Sequence, residues 1–231
     1  MNAALRVGLS ACLAIAAVWA GAQLYLSRSA VHAERGVPVP AGEASAPLST
    51  DQNSPTDADF PAPGKVPDAM PAFSLADLDG KATTLDRWRG KSLMINFWAT
   101  WCAPCRREIP LLQALHSEKG GDSFDIVGIA VDYADKVRAF RDQFKISYPL
   151  LVGEQDALDL VSAVGIKQPA FPFTVFTDRR GQIVTLYLGE LKRPEAEAIL
   201  AVVAEVNQGR LTLPAARTLI DERIAALHAK T

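Results

Sequence analysis

The chain has 231 residues, 24 Lys and Arg against 26 Asp and Glu, and a formal net charge of −2. That length holds one ordinary domain with extensions, and so balanced a charge excludes a binder working mainly through nucleic-acid phosphates. Of three cysteines, Cys12 lies in an apolar N-terminal segment; the other two, Cys102 and Cys105, are too few for the disulfide framework of a small secreted domain.

From Val7 to Leu26 no residue is charged, and as a helix this run would span about 30 Å, the thickness of a bilayer core. Two readings stay open, an uncleaved signal anchor and a signal peptide cut near Ala20-Gly21-Ala22. The anchor is favoured because Tyr25 and Leu26 continue the apolar run past that site. Leu9-Ser10-Ala11-Cys12 has the look of a lipoprotein processing box but is set aside, since the long apolar stretch follows it. Arg6 on one side and Arg28 and Arg35 on the other leave orientation weakly specified. The organisation read from the chain is a signal anchor or signal peptide over 1–31, a flexible Pro-rich linker over 32–71, a folded domain over 72–208, and an amphipathic C-terminal helix over 209–231. The linker has almost no large apolar residue with which to bury surface.

Within the domain, Phe73 to Ala76 and Ala82 to Leu85 flank Asp79-Gly80, a hairpin pattern. Leu93 to Trp98 is apolar except for Asn96 and predicts a strand buried on both faces. A helix follows the cysteines through Ile109, Leu112 and Leu115, with a second buried strand over Phe124 to Val131. Helices are predicted over Ala134 to Phe144 and Ala157 to Val164, the latter closed by Gly165. Phe173 to Thr177 and Ile183 to Leu188 read as strands around a turn, then Pro194 to Val206 as a helix with Pro in its first turn. Such alternation predicts an α/β domain with a mixed sheet. Pro214 to Leu227 carries Leu219, Ile220, Ile224 and Leu227 on one face, and it either packs on the domain or binds a partner, with packing favoured.

The chemistry concentrates at Trp101-Cys102-Ala103-Pro104-Cys105, between a buried strand and a helix. A cysteine at a helix N-terminus meets unpaired backbone N–H groups and the positive end of the helix dipole. Its thiol pKa falls, and the thiolate is the attacking species in disulfide exchange. Cys105, one turn on, can resolve the mixed disulfide, and Pro104 suits a first-turn position that needs no N–H. Two ordinary cysteines and half of a metal site are the competing explanations. No metal is expected, because a structural zinc site needs four ligands and His32, His116 and His228 lack finger-like spacing. His116 is expected on the outer part of its helix.

This motif after an apolar strand resembles the thioredoxin superfamily, and its context resembles the membrane-anchored TlpA-like and ResA-like branch. The likeness rests on Leu85-Asp86-Arg87-Trp88-Arg89-Gly90-Lys91, on Asn96-Phe97-Trp98-Ala99-Thr100-Trp101, and on Phe171-Pro172-Phe173-Thr174 followed by Asp178 and Gly181. It runs from about Pro71 to Asn207. It implies a thioredoxin-like fold, with a mixed central sheet flanked by helices and an N-terminal β-hairpin, preceded by the transmembrane or signal segment and the linker. It implies a cis-proline at Pro172 facing the cysteines, with Trp101, Pro104, Phe171 and Pro172 binding substrate; a trans proline opening a strand is the alternative. It further implies that Glu108 tunes thiol proton transfer, although a glutamate there also simply suits the helix dipole. Asn96 stands where thioredoxin itself has a buried acid, so taking the proton from Cys105 would fall to Glu108 or water.

The function so implied is a thiol–disulfide oxidoreductase at a bacterial inner membrane, its soluble domain facing the periplasm or cell exterior. It would reduce client protein disulfides, in apocytochromes c or copper-centre proteins for example, and be recharged by a membrane dithiol donor. No cofactor is expected beyond the redox-active Cys102–Cys105 disulfide, and no nucleic acid. The alternatives are a peroxiredoxin-like thiol peroxidase, whose motif is broken because Thr100 stands two residues before Cys102 rather than three, and a non-catalytic client-binding protein.

Overall fold

The computed structural model describes residues 64–229. The first hairpin forms where the sequence turns at Asp79-Gly80. Strands β1 (Leu75–Asp77) and β2 (Ala82–Thr83) pair antiparallel, and Asp77 Oδ1 accepts from the N–H groups of Asp79 and Lys81 at 3.0 and 2.9 Å, closing the turn with a side chain. A 3-10 turn over Leu85–Trp88 then delivers the chain to β3 (Ser92–Trp98), every residue of which is buried.

Helix α1 (Ala103–Lys119) follows, then β4 (Phe124–Val131), α2 (Ala134–Phe144), β5 (Leu150–Gly153), α3 (Gln155–Ala163), β6 (Phe173–Thr177), β7 (Ile183–Leu188), α4 (Arg193–Asn207) and α5 (Leu213–His228). Among the described residues the strands form one mixed sheet in the order β2-β1-β5-β4-β3-β6-β7. β3 runs parallel to β4 and antiparallel to β6. The expected α/β architecture is thus present, with β5 as an added strand between β1 and β4. Its apolar stretch, Leu150-Leu151-Val152, is too short to separate from a loop by pattern alone.

Alternation along β3 divides the core. Met94 and Trp98 pack on one face with Ile109, Leu112 and Leu115 of α1. Leu93, Ile95 and Phe97 pack on the other with Trp88 and with Leu160 and Val161 of α3. Each large apolar side chain so buried contributes on the order of 2 kcal/mol. Asn96 shares the α1 face with Met94 and Trp98, so the polar residue in the middle of the strand points toward the helix that carries the cysteines.

One expected boundary changes, and the favoured packing of the C-terminal helix is present. The packed chain does not begin at residue 72: Gly64 N–H donates to Gly165 O at 2.7 Å, Ile183 N–H to Asp68 O at 2.8 Å, and Met70 N–H to Gly181 O at 2.9 Å, with Met70 buried. Backbone hydrogen bonds hold this stretch, and they leave little mark on side-chain pattern. Helix α5 belongs to the same fold. Ala216 and Ile220 are buried in the α1-side core, and Arg217 donates to the carbonyls of Ile183 and Val184 at the end of the sheet. No helix among the described residues is long and apolar enough to cross a membrane; the Val7–Leu26 run and residues 32–63 of the expected linker lie outside the described residues.

Candidate active site

β3 ends at Trp98 and the chain turns through Ala99 and Thr100 into α1. Cys102 is the N-cap of that helix, in extended backbone geometry, and its Sγ accepts from Cys105 N–H at 3.2 Å. Pro104 occupies the first turn, as its missing N–H allows. Cys102 and Cys105 are joined by a disulfide, with their Cα atoms 5.3 Å apart. Cys105 is fully buried and Cys102 nearly so. An N-cap sulfur beside free N–H groups is stabilised as an anion once the disulfide opens.

Trp101 is 69% exposed, and its ring meets Phe171 edge-on at 6.2 Å. Phe171 stacks over Phe173, and Phe173 over Phe97 of β3 at 4.5 Å, so this rim is anchored in the core. The Phe171–Pro172 peptide is cis. The pairing of Phe173 with Phe97 places it just beyond the end of β3 from which the cysteine segment emerges.

Glu108, three residues after Cys105, lies on the same side of α1 one turn along. Only 2% of it is exposed. Asn96 Nδ2 donates to Glu108 Oε1 at 2.7 Å, and Leu191 N–H donates to Oε2 at 3.0 Å. Asn96 Nδ2 also donates to Thr174 Oγ1 at 3.1 Å. Burial pushes the Glu108 carboxyl up to about 8; the hydrogen bonds from Leu191 and Asn96 pull against it, and the charge of Glu190 adds to it. Asn96 is therefore more than a missing acid: it is a donor that holds the acid of α1 in place. Sequence could not reveal that partnership, nor those of Thr174 and Leu191, since they join residues remote along the chain and one uses only a backbone N–H.

Two further positions bear on the expectations, one agreeing and one revised. The Thr100 hydroxyl donates to the buried carboxylate of Asp132, which also accepts from Thr100 N–H at 3.2 Å. A hydroxyl so engaged is turned to Asp132, which weighs against the peroxidase alternative. His116 is not on the outer part of its helix but half-buried, 3.4 Å from Asp125 and edge-on to Tyr148. His32 lies outside the described residues, and His228 sits 3.5 Å from Glu195. Among the described residues no group of three His, Cys, Asp or Glu side chains is placed to hold a metal ion.

The Redoxin family model matches residues 65–200. The thioredoxin-like protein YneN of Bacillus subtilis is 32% identical over 131 residues, 55% of this chain and 74% of that protein. The thiol-disulfide oxidoreductase ResA of Halalkalibacterium halodurans is 28% identical over 132 residues, covering 57% and 73%. Among solved structures, a candidate thiol:disulfide interchange protein DsbE from Chlorobium tepidum superposes with a TM-score of 0.52 at 21% identity, over 62% of this chain and 98% of its own, which establishes the fold. The solution structure of a candidate protein disulfide isomerase from Bacteroides thetaiotaomicron gives 0.51 at 29% identity, over 63% and 89%.

Proposed function

The chain belongs to the Redoxin family, as a ResA-like thiol–disulfide oxidoreductase of the thioredoxin superfamily, and on that premise we propose that it reduces disulfides in client proteins outside the cytoplasm. The observation that carries the exchange chemistry is the Cys102–Cys105 disulfide at the start of α1 with the buried Glu108 one turn along; the reducing direction rests on the family likeness.

The cycle balances as follows. In the reduced enzyme, the Cys102 thiolate attacks one sulfur of a client disulfide, forming a mixed disulfide and releasing a client thiolate that takes a proton from water. Cys105 then loses its proton and attacks Cys102 Sγ. The internal disulfide forms and the second client sulfur leaves, so the client gains two electrons and the enzyme loses two. Glu108 suits the proton step. With its midpoint raised to about 8 by burial, it is the ionised minority of Glu108 at neutral pH that takes the Cys105 proton, and the acid ends the turnover protonated. It returns that proton when a dithiol donor reopens the pair.

Trp101, Phe171 and cis-Pro172 form the rim on which an extended client segment would lie, with Pro104 beside Cys102. The apolar Val7–Leu26 run supports a tether to the inner membrane with the domain facing the periplasm or cell exterior, and recharging by a membrane dithiol donor. Apocytochromes c and copper-centre proteins are the clients that family likeness favours.

Direction is tested by equilibrating the pair with a dithiol–disulfide buffer and quantifying the Cys102–Cys105 disulfide by mass. The expected midpoint lies below about −200 mV, on the reductant side. A midpoint near that of strong oxidases, about −120 mV, would overturn the reductase assignment while leaving exchange itself intact.

A further inference from the structure

Three consecutive residues after β7 reach three different parts of the site. Gly189 N–H donates to the carbonyl of Pro172 at 3.0 Å. Glu190 Oε2 accepts from Arg107 Nε at 2.8 Å, with Arg107 Nη2 on the same oxygen. Leu191 N–H donates to Glu108 Oε2 at 3.0 Å. The turn depends on Gly189, whose φ of +91° is a region that side chains disfavour. Leu191 is buried, while the Arg107 and Glu190 side chains are 46% and 25% exposed.

The arrangement is a pair of adjacent rungs. Arg107 and Glu108 are neighbours on α1, Glu190 and Leu191 are neighbours on the facing segment, and each helix residue holds its counterpart across 83 positions. Gly189 continues the same segment to the cis-proline peptide. The outer rung is an ion pair between side chains; the inner rung is the backbone bond on the buried acid. We propose that Gly189–Leu191 is a strap holding the Pro172 peptide and the Glu108 carboxyl in one register, with Arg107 and Glu190 as its positioning residues. Neither side chain meets the reacting sulfurs; both act by keeping the Leu191 N–H on Glu108 and the Gly189 N–H on Pro172. The strap's catalytic consequence rests on the exchange mechanism above, whereas its geometry does not.

Two roles for Glu190 predict opposite outcomes. Through charge alone, Glu190 disfavours ionisation of Glu108, so removing it would lower the Glu108 midpoint. As a tether it keeps the Leu191 N–H in place, and that bond favours the ionised acid, so losing the tether raises the midpoint. The test is a carbon-13 NMR titration of glutamate carboxyls in the oxidised, full-length chain solubilised in detergent. The Glu108 resonance is identified by its loss in Glu108→Gln. Glu190→Ala and Arg107→Ala are expected to raise the midpoint, while Glu190→Gln, which keeps an acceptor for Arg107, does not. Both alanine variants are also expected to lose about threefold in kcat/KM on a protein disulfide, the scale of a partly exposed ion pair. A midpoint that falls or stays fixed in Glu190→Ala overturns the strap. Because the titration involves no turnover, it stands apart from the reductase assignment: an inactive wild-type chain would sink that assignment, and a fixed midpoint in an active chain would sink the strap alone.

Discussion

Replacing Cys102 with serine is expected to abolish reduction of a protein disulfide, by about 10³-fold or more, the scale on which losing a nucleophile acts. A serine hydroxyl at the α1 N-cap still accepts from the Cys105 N–H, so the helix start survives. What disappears is the thiolate, the only species that attacks a disulfide sulfur. Cys105 cannot substitute, being fully buried in the first turn of α1, whereas Cys102 keeps slight exposure at the N-cap beside exposed Trp101. Cys105→Ala keeps the first attack and loses the second, so turnover stops after one client per enzyme unless an external thiol rescues it. For Cys102→Ser the comparison with wild type is made by following insulin reduction under excess dithiol, and for Cys105→Ala by counting clients reduced per pre-reduced enzyme after the dithiol is removed. Equal residual rates in Cys102→Ser and wild type would remove Cys102 from the chemistry.

Glu108→Gln carries the second large effect, with two signatures. The first is kinetic. Without a proton acceptor one turn from Cys105, resolution of the mixed disulfide is expected to slow by about 10²-fold at neutral pH. The deficit shrinks once pH rises past the Glu108 midpoint of about 8, where the acid gains no further ionisation while the thiol increasingly ionises unaided. The second is thermodynamic and is read on the oxidised protein, where the cysteines do not titrate. The folded midpoint of Glu108 is raised from 4.5 to about 8, so between those values the native state holds a proton that the unfolded chain has released. Stability attributable to this group is therefore fully present below about 4.5 and is lost as pH rises through about 8, on the order of 5 kcal/mol across the window. Urea unfolding at pH 5 and pH 8 is expected to show the wild type losing most of that amount over and above any loss in Glu108→Gln. Parallel losses in the two proteins would mean that Glu108 is not a buried, neutral acid.

What sequence revealed here, and what it did not, follows from how each feature is encoded. Strand β3 was legible because a strand buried on both faces is apolar over most of its length, and helix α1 because Pro104 marks its first turn and Cys105, Ile109, Leu112 and Leu115 recur at helical spacing. Cys102 and Cys105 were legible as chemistry for the same reason: a helix start alters a thiol by position alone. Strand β5 escaped because its short apolar stretch specifies little before the sheet pairs it. Residues 64–71 escaped because backbone bonds to Gly165, Gly181 and Ile183 hold them. The setting of Glu108 was hidden most deeply. Family likeness pointed to the residue, yet its partners come from β3 and the strap, and the Leu191 contact is an N–H that any residue but proline could offer.

The most direct test of the central claim, that Cys102 attacks and Cys105 resolves, is intact-mass analysis of Cys105→Ala after mixing with a disulfide-bonded client peptide, followed by peptide mapping. A covalent adduct of one client per chain, bound through Cys102 and released by dithiol, is the predicted result. Absence of the adduct, or its attachment at any residue other than Cys102, would contradict it.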